Sequence, residues 1–145
     1  MSGHRGHCLC GAVSVTADAL PEDMSACHCD MCTRWSGGIQ MFIEAPEEAV
    51  TISGPVKTYR SSPFAERAWC DVCGSSIYLR NVEGDDVGIV ELSPGLFENA
   101  ADARLARIVY SDRAPGGARL GGDEVERVSR AEYEARFAHV PEVRR

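Results

Sequence analysis

Apolar and polar residues alternate with a period of two along several short stretches of the chain, and turn-forming residues bound most of these stretches. Ala12-Val13-Ser14-Val15-Thr16 alternates in this way and predicts a strand. Ile39-Gln40-Met41-Phe42-Ile43-Glu44 predicts a second. Val50-Thr51-Ile52 and Val56-Lys57-Thr58-Tyr59-Arg60 are short β runs, and Ser53-Gly54-Pro55 separates them at a spacing that suits a hairpin. Ser76-Ile77-Tyr78-Leu79-Arg80 and Val87-Gly88-Ile89-Val90-Glu91-Leu92 read as further strands, and Ile108-Val109-Tyr110 as a short apolar run. Leu20-Pro21-Glu22-Asp23, Gly84-Asp85-Asp86 and Ser93-Pro94-Gly95 are turns; Ala45-Pro46-Glu47-Glu48 is a turn or one helical turn. Gly116, Gly117, Gly121 and Gly122 predict a flexible loop.

The period changes only near the C-terminus. Ser129-x-x-Glu132 is a capping-box pattern, Tyr133 and Phe137 fall one turn apart, and Pro141 stops the run. This predicts a helix at about 129–140 that covers one side of a sheet. Several short strands and one late helix predict a mainly β fold. No linker is rich enough to divide the chain, so residues 1–145 are expected to form one domain. No internal repeat or low-complexity tract is evident.

Composition narrows the class. Apolar residues make up 44% and charged residues 26% of the 145, which is globular. No apolar run approaches the roughly 20 residues that span a bilayer. Met1-Ser2-Gly3-His4-Arg5-Gly6-His7 has no secretory apolar segment, so the expected location is the cytoplasm. The net charge of −7 and pI near 5.1 repel phosphate backbones and weigh against nucleic acid as a partner. Arg127, Arg130, Arg136, Arg144 and Arg145 make the tail locally basic, but acidic residues interleave them, as on a solvated helix face.

The seven cysteines carry the chemistry. Cytosolic thiols stay reduced, so clustering points to metal ligation rather than to disulfides. Cys27-His28-Cys29-Asp30-Met31-Cys32 gathers three thiols at C-x-C-x-x-C spacing. Cys8-Leu9-Cys10 is a second C-x-C pair, and Cys70-Asp71-Val72-Cys73-Gly74 is a zinc-knuckle turn. Neither pair closes a tetrahedral site alone, but together they make a closed four-thiolate site that joins the N-terminus to the middle of the chain. Cys27, Cys29 and Cys32 then hold a second metal. Its fourth position is either open, as in a zinc that does chemistry, or filled by a His or Asp, with His28 and Asp30 as local candidates. His28 lies between two ligands, so its side chain is expected to point away from the shared metal. His7 reads as a spacer, His4 as a solvated terminal residue and His139 as a surface helix residue. The spacing does not match the common ferredoxin patterns.

Gly6-x-Cys8-x-Cys10-Gly11, Cys27-His28-Cys29-x-x-Cys32 and Cys70-x-x-Cys73-Gly74-Ser75 together resemble the glutathione-dependent formaldehyde-activating enzyme (GFA) family, which includes centromere protein V. The likeness runs from Gly6 to about Leu92 and takes in all seven cysteines, the Gly54-Pro55 turn followed by Tyr59, and Arg67 ahead of the knuckle. It implies a Mss4-like, mainly β fold holding two zinc ions. Cys8, Cys10, Cys70 and Cys73 would hold a structural zinc, and Cys27, Cys29 and Cys32 a catalytic one. The implied reaction joins glutathione and formaldehyde into S-hydroxymethylglutathione, of the carbon–sulfur lyase class. Trp69 stands where the family usually has Phe. Gly116 follows Ala114-Pro115 where the family often has an aromatic residue, and no glutathione-binding residue is assigned.

A zinc with three thiolates has a formal charge of −1 and is suited to holding a fourth thiolate that can attack an aldehyde. Arg34 is the local candidate to stabilise that charge or a substrate carboxylate, against a solvated arginine. Trp35 is expected in the core and Ser36 in a loop. The expected function is a zinc-dependent carbon–sulfur lyase acting on a small thiol and a small aldehyde. The rivals are a non-catalytic module with two structural zincs and a thiol carrier without turnover. The sequence sets neither the oligomeric state nor the reaction direction.

Overall fold

The computed structural model describes residues 3–137. His139, Pro141, Arg144, Arg145 and the end of the helix expected at about 129–140 lie outside the described residues. Eleven strands and two short helices are found among those described. They are β1 (His4–His7), β2 (Ser14–Ala17), β3 (Asp23–Cys27), α1 (Asp30–Ser36), β4 (Gln40–Pro46), β5 (Val50–Ser53), β6 (Val56–Arg60), β7 (Ala65–Cys70), β8 (Ser76–Asn81), β9 (Ile89–Leu92), β10 (Arg104–Val109), β11 (Glu126–Val128) and α2 (Arg130–Arg136). The mainly β reading therefore holds. No helix among the described residues is long and apolar enough to cross a membrane.

Residue contacts group the chain into two compact units. The first comprises residues 3–22 and Phe42–Ala103. Here β1, β2 and β5 form one antiparallel sheet, in that order. β4, β9, β8, β7 and β6 follow one another in antiparallel pairs. Strand periodicity drives burial: Val15 and Ala17 of β2 point inward while Ser14 and Thr16 face out. Val13, Val15, Ala45, Ala68, Ile77, Val90 and Leu92 form the core together with the side chains of Cys8 and Cys70. After β9 the backbone turns through Asn99, Ala100, Ala101 and Asp102 with φ of 48°, 53°, 55° and 61°, a left-handed turn that ordinary residues adopt only at a cost.

The expected hairpin between β5 and β6 is not formed. β5 pairs with β2, and β6 pairs with β7. Gly54 makes the crossing possible. Its φ is +120°, and a Cβ there would lie 2.2 Å from the Ala12 carbonyl oxygen. The turn thus carries the chain from one sheet to another over a close backbone contact, and only glycine fits. Gly54→Ala is expected to destabilise the protein by about 3 kcal/mol through steric overlap and backbone strain, read as a melting temperature roughly 10 °C lower. An unchanged melt would refute the close approach.

The second unit comprises Asp23–Met41 and residues 104–137. β10 runs parallel to both β3 and β11. Ala26, Ile108 and Val125 form its small core, with Ile39, Met41, Leu105 and Leu120 packed around them. α2 begins as its capping box predicts, with Ser129 Oγ accepting the Glu132 N–H at 3.1 Å. Tyr133 packs on Phe137 with ring centroids 4.7 Å apart.

Candidate metal centres

All seven cysteines are free thiols in two clusters. In each cluster the sulfur atoms lie within 4.8 Å of one another. Each cluster falls wholly inside one compact unit.

The first cluster is Cys8, Cys10, Cys70 and Cys73. The loop after β1 supplies two sulfurs, and the end of β7 and the turn after it supply the others. Cys8 Sγ lies 3.6 Å from Cys10 Sγ, which lies 3.8 Å from Cys70 Sγ. Backbone amides point at the sulfurs: Val13 N–H donates to Cys8 Sγ at 3.2 Å and Ala12 N–H to Cys10 Sγ at 3.4 Å. In the knuckle turn Gly74 has φ +80° and its N–H donates to the Cys70 carbonyl at 2.8 Å. Ser75 joins the two halves. Its Oγ accepts the Leu9 N–H at 3.1 Å and lies 3.1 Å from Cys73 Sγ. Hydrogen bonding from Ser75 pulls the Cys73 thiol down to about 5.

The second cluster is Cys27, Cys29 and Cys32, all buried. Cys27 ends β3. Cys29 caps α1, its sulfur accepting the Cys32 N–H at 3.3 Å, and Cys32 lies in the first turn. Cys27 Sγ accepts the Cys29 N–H at 3.4 Å. The helix, which the sequence reading did not expect, is held by local side chains. Thr33 Oγ1 donates to the Cys29 carbonyl at 2.9 Å, Ser36 Oγ donates to the Cys32 carbonyl at 2.8 Å, and Gly37 closes the end at φ +86°. Hydrogen bonds with Cys27 and Cys32 lower the Cys29 thiol to about 3, and hydrogen bonds with Cys29 and Cys32, with burial, push Cys27 up.

No His, Asp, Glu or further Cys among the described residues joins this trio. Asp30 is engaged elsewhere: its Oδ1 pairs with Arg113 at 3.3 Å. His28 is buried, 6% exposed, and lines a cleft of about 310 Å³ with Ser111, Asp112, Arg119 and Arg127, which none of the cysteines lines. Its ring lies outside the sulfur cluster, as expected, and burial lowers its pKa. His7 Nδ1 donates to the Cys8 carbonyl at 2.7 Å and joins neither cluster. His4 is not a solvated end but the half-buried first residue of β1, opposite Ala17. Arg34 is exposed in the last turn of α1. Trp35 is half-buried rather than core, and Ser36 is helical rather than in a loop. Gly116 is exposed, with open space where a Cβ would stand.

The sequence reading missed the segment that frames the trio. Val109 stands opposite Cys27 in the β10–β3 register, and the His28 N–H donates to the Val109 carbonyl at 3.1 Å. Tyr110, Asp112 and Arg113 follow. Arg113 reaches Asp30, and Asp112 Oδ1 accepts the Arg130 N–H at 2.7 Å. Their only signal in the chain was an apolar run ending in Ser111-Asp112-Arg113.

A family model described as "Glutathione-dependent formaldehyde-activating enzyme" matches residues 3–112. A protein of Schizosaccharomyces pombe named as an uncharacterized lyase is 34% identical over 85 residues, 58% of this chain and 62% of that protein. The chain thus spans less than two-thirds of that relative. The crystal structure of a Rhodobacter sphaeroides protein superposes with a TM-score of 0.55 at 19% identity, covering 65% of this chain and 87% of that one. At that identity the likeness concerns the fold alone.

Proposed function

Because this chain belongs to the glutathione-dependent formaldehyde-activating enzyme family, we propose that it is a zinc-dependent lyase-type enzyme that forms or cleaves the carbon–sulfur bond of a thiol–aldehyde adduct. The observation that carries this reading is the buried trio Cys27, Cys29 and Cys32, whose sulfurs converge without a fourth ligand among the described residues. The lyase name of the Schizosaccharomyces pombe relative agrees with it.

The donor sets fit zinc. Four sulfurs around a tetrahedral ion at about 2.3 Å stand about 3.8 Å from one another, and the first cluster has separations of 3.6 and 3.8 Å. Cys8, Cys10, Cys70 and Cys73 fill a tetrahedron, so an ion there serves as a staple. Cys27, Cys29 and Cys32 leave one position for a substrate sulfur. Zinc at that site supplies the charge that keeps an incoming thiol deprotonated near neutral pH.

The chain's own residues set the rest. The Cys29 and Cys32 amides point at the sulfurs and offset part of the negative charge gathered there. Thr33, Ser36 and the Arg113–Asp30 pair hold α1 and with it the spacing of the ligands. Arg34, exposed on the same helix, is the cation we assign to a substrate carboxylate, and glutathione and formaldehyde are the substrates we assign.

The test follows hydroxymethyl formation from glutathione and formaldehyde by NMR, with and without the zinc-loaded protein. Faster approach to equilibrium is expected, with two zinc ions per chain. In the cobalt-substituted protein, glutathione is expected to change the visible spectrum of one of two ions. No rate effect, with both ions unresponsive to thiol, would instead identify a module with two structural metals. A spectral response without turnover would identify a thiol carrier.

A further inference from the structure

One buried side chain of the second unit has hydrogen-bonding capacity that nothing in the fold uses. His28 is 6% exposed, and its Nδ1 has no hydrogen-bond partner among the described residues. A buried polar atom in that state costs stability unless something meets it. The sulfur cluster does not account for it, because His28 lines the cleft of about 310 Å³ that no cysteine lines.

The same cleft is cationic. Arg119 and Arg127 line it. Arg127 is half-buried and fixed by backbone: its Nη2 donates to the Leu120 carbonyl at 2.6 Å and to the Gly122 carbonyl at 3.4 Å. Neither guanidinium pairs with a carboxylate among the described residues. This sets them apart in a chain where 22 acidic residues outnumber 15 Lys and Arg. Arg80, Arg104, Arg113, Arg130 and Arg136 all have carboxylate partners. Solvation would explain the exposed Arg119 by itself. It does not explain a half-buried guanidinium and an unpartnered buried imidazole on the walls of one cleft.

Charge and surface name the ligand class. Asp112 also lines the cleft, where its Oδ1 accepts the Arg130 N–H at 2.7 Å. Two guanidiniums and one carboxylate leave a single positive charge, which suits a monoanion better than a phosphate dianion. Guanidinium groups match carboxylate geometry. Ile108 and Leu120 give the cleft an apolar side for the body of the ligand. We propose that this cleft binds a small aliphatic carboxylate, with Arg119 and Arg127 on its oxygens and the His28 imidazole donating a further hydrogen bond. The site is separate from the sulfurs and does not depend on the function proposed above.

The test is calorimetric and NMR titration of the zinc-loaded full chain with acetate, butyrate and inorganic phosphate at constant ionic strength. Saturable butyrate binding is expected, with shifts of the His28 ring signals. Butyrate is expected to bind about 10-fold more tightly than acetate, through two further buried methylene groups, and more tightly than phosphate. Arg119→Gln is expected to weaken butyrate about 10-fold, the scale of one hydrogen bond to a charged group, with zinc content and melting temperature unchanged because Arg119 is exposed. His28→Phe removes the unmet nitrogen, so it is expected to weaken butyrate while raising the melting temperature by a few degrees. If that variant loses zinc or its fold, Arg119→Gln alone decides. No saturable binding in the wild type up to about 100 mM would overturn the proposal and leave a cleft that holds only water. Equal binding by wild type and Arg119→Gln, or tighter binding of phosphate than of butyrate, would overturn it too. So would competitive displacement of butyrate by glutathione, which would make the cleft part of the thiol site. A protein that binds butyrate as expected but shows no thiol response would lose the proposed function and keep this one.

Discussion

Cys70→Ala is expected to leave the first unit without a cooperative melt and with one zinc fewer per chain. The reason is the position of the sulfur rather than its chemistry alone. Cys70 is fully buried and ends β7, and its side chain lies in the same apolar core as Cys8, Ile77 and Leu92. Its backbone also holds the knuckle, since its N–H donates to the Ser75 carbonyl at 2.9 Å and its carbonyl accepts the Gly74 N–H. The cluster binds the loop after β1 to the β7–β8 turn across about sixty residues of chain. A structural zinc of this kind contributes about 10–16 kcal/mol of apparent binding energy to the folded state. Whole domains are stable by only about 5–15 kcal/mol. Removing one of four thiolates also leaves the remaining three, among them the buried Cys8, as an incomplete ligand set. Circular dichroism against temperature and metal analysis of the same sample check this. A native-like melt from a variant that still holds two zinc ions would show that Cys70 is packing and not a ligand.

The parts of this molecule that were legible in the chain are those whose cause is local. Ligand spacing is local, so both cysteine clusters were readable from C-x-C, C-x-x-C and C-x-C-x-x-C. Strict alternation is local too, and β2, β4, β8 and β9 lie within two residues of where it placed them. So is a capping box, and Ser129 caps α2. What was missed depends on partners far away in sequence. β3, Asp-Met-Ser-Ala-Cys, has no clean period and becomes a strand because β10, about eighty residues later, lies beside it in parallel register. β1 is polar at three of four positions and is a strand through its pairing with β2, where Gly6 faces Val15. The hairpin expected at Gly54 failed because the same turn signal serves a crossing between sheets. α1 is a different kind of miss. Asp30 in its first turn, Arg34 in its last and Gly37 beyond it were all helix signals, overshadowed by the cysteines among them.

Cys32→Ala is expected to abolish turnover, to more than 1,000-fold below wild type on the scale of losing a catalytic metal, while the chain still folds and retains one zinc. The choice of Cys32 matters. Cys29 caps α1 through its sulfur, so removing it would also cost the helix roughly 1 kcal/mol, and a loss of activity would mix two causes. Cys32 carries no cap. Its backbone N–H still reaches Cys29 Sγ, and its carbonyl still accepts Ser36 Oγ. The rest of the second unit does not lean on the ion: Ala26, Ile108 and Val125 pack without it, and Arg113–Asp30 and Asp112–Arg130 tie α1 and α2 to the segment after β10. A melting temperature lowered by only a few degrees is therefore expected, in contrast to the loss predicted for Cys70→Ala. The pair of variants separates the two ions by what each supports. If Cys32→Ala also abolishes cooperative folding, the trio is a second staple, and a fourth ligand from this chain completes it. If it folds, loses one zinc and loses turnover together, the chemistry belongs to the three-thiolate site.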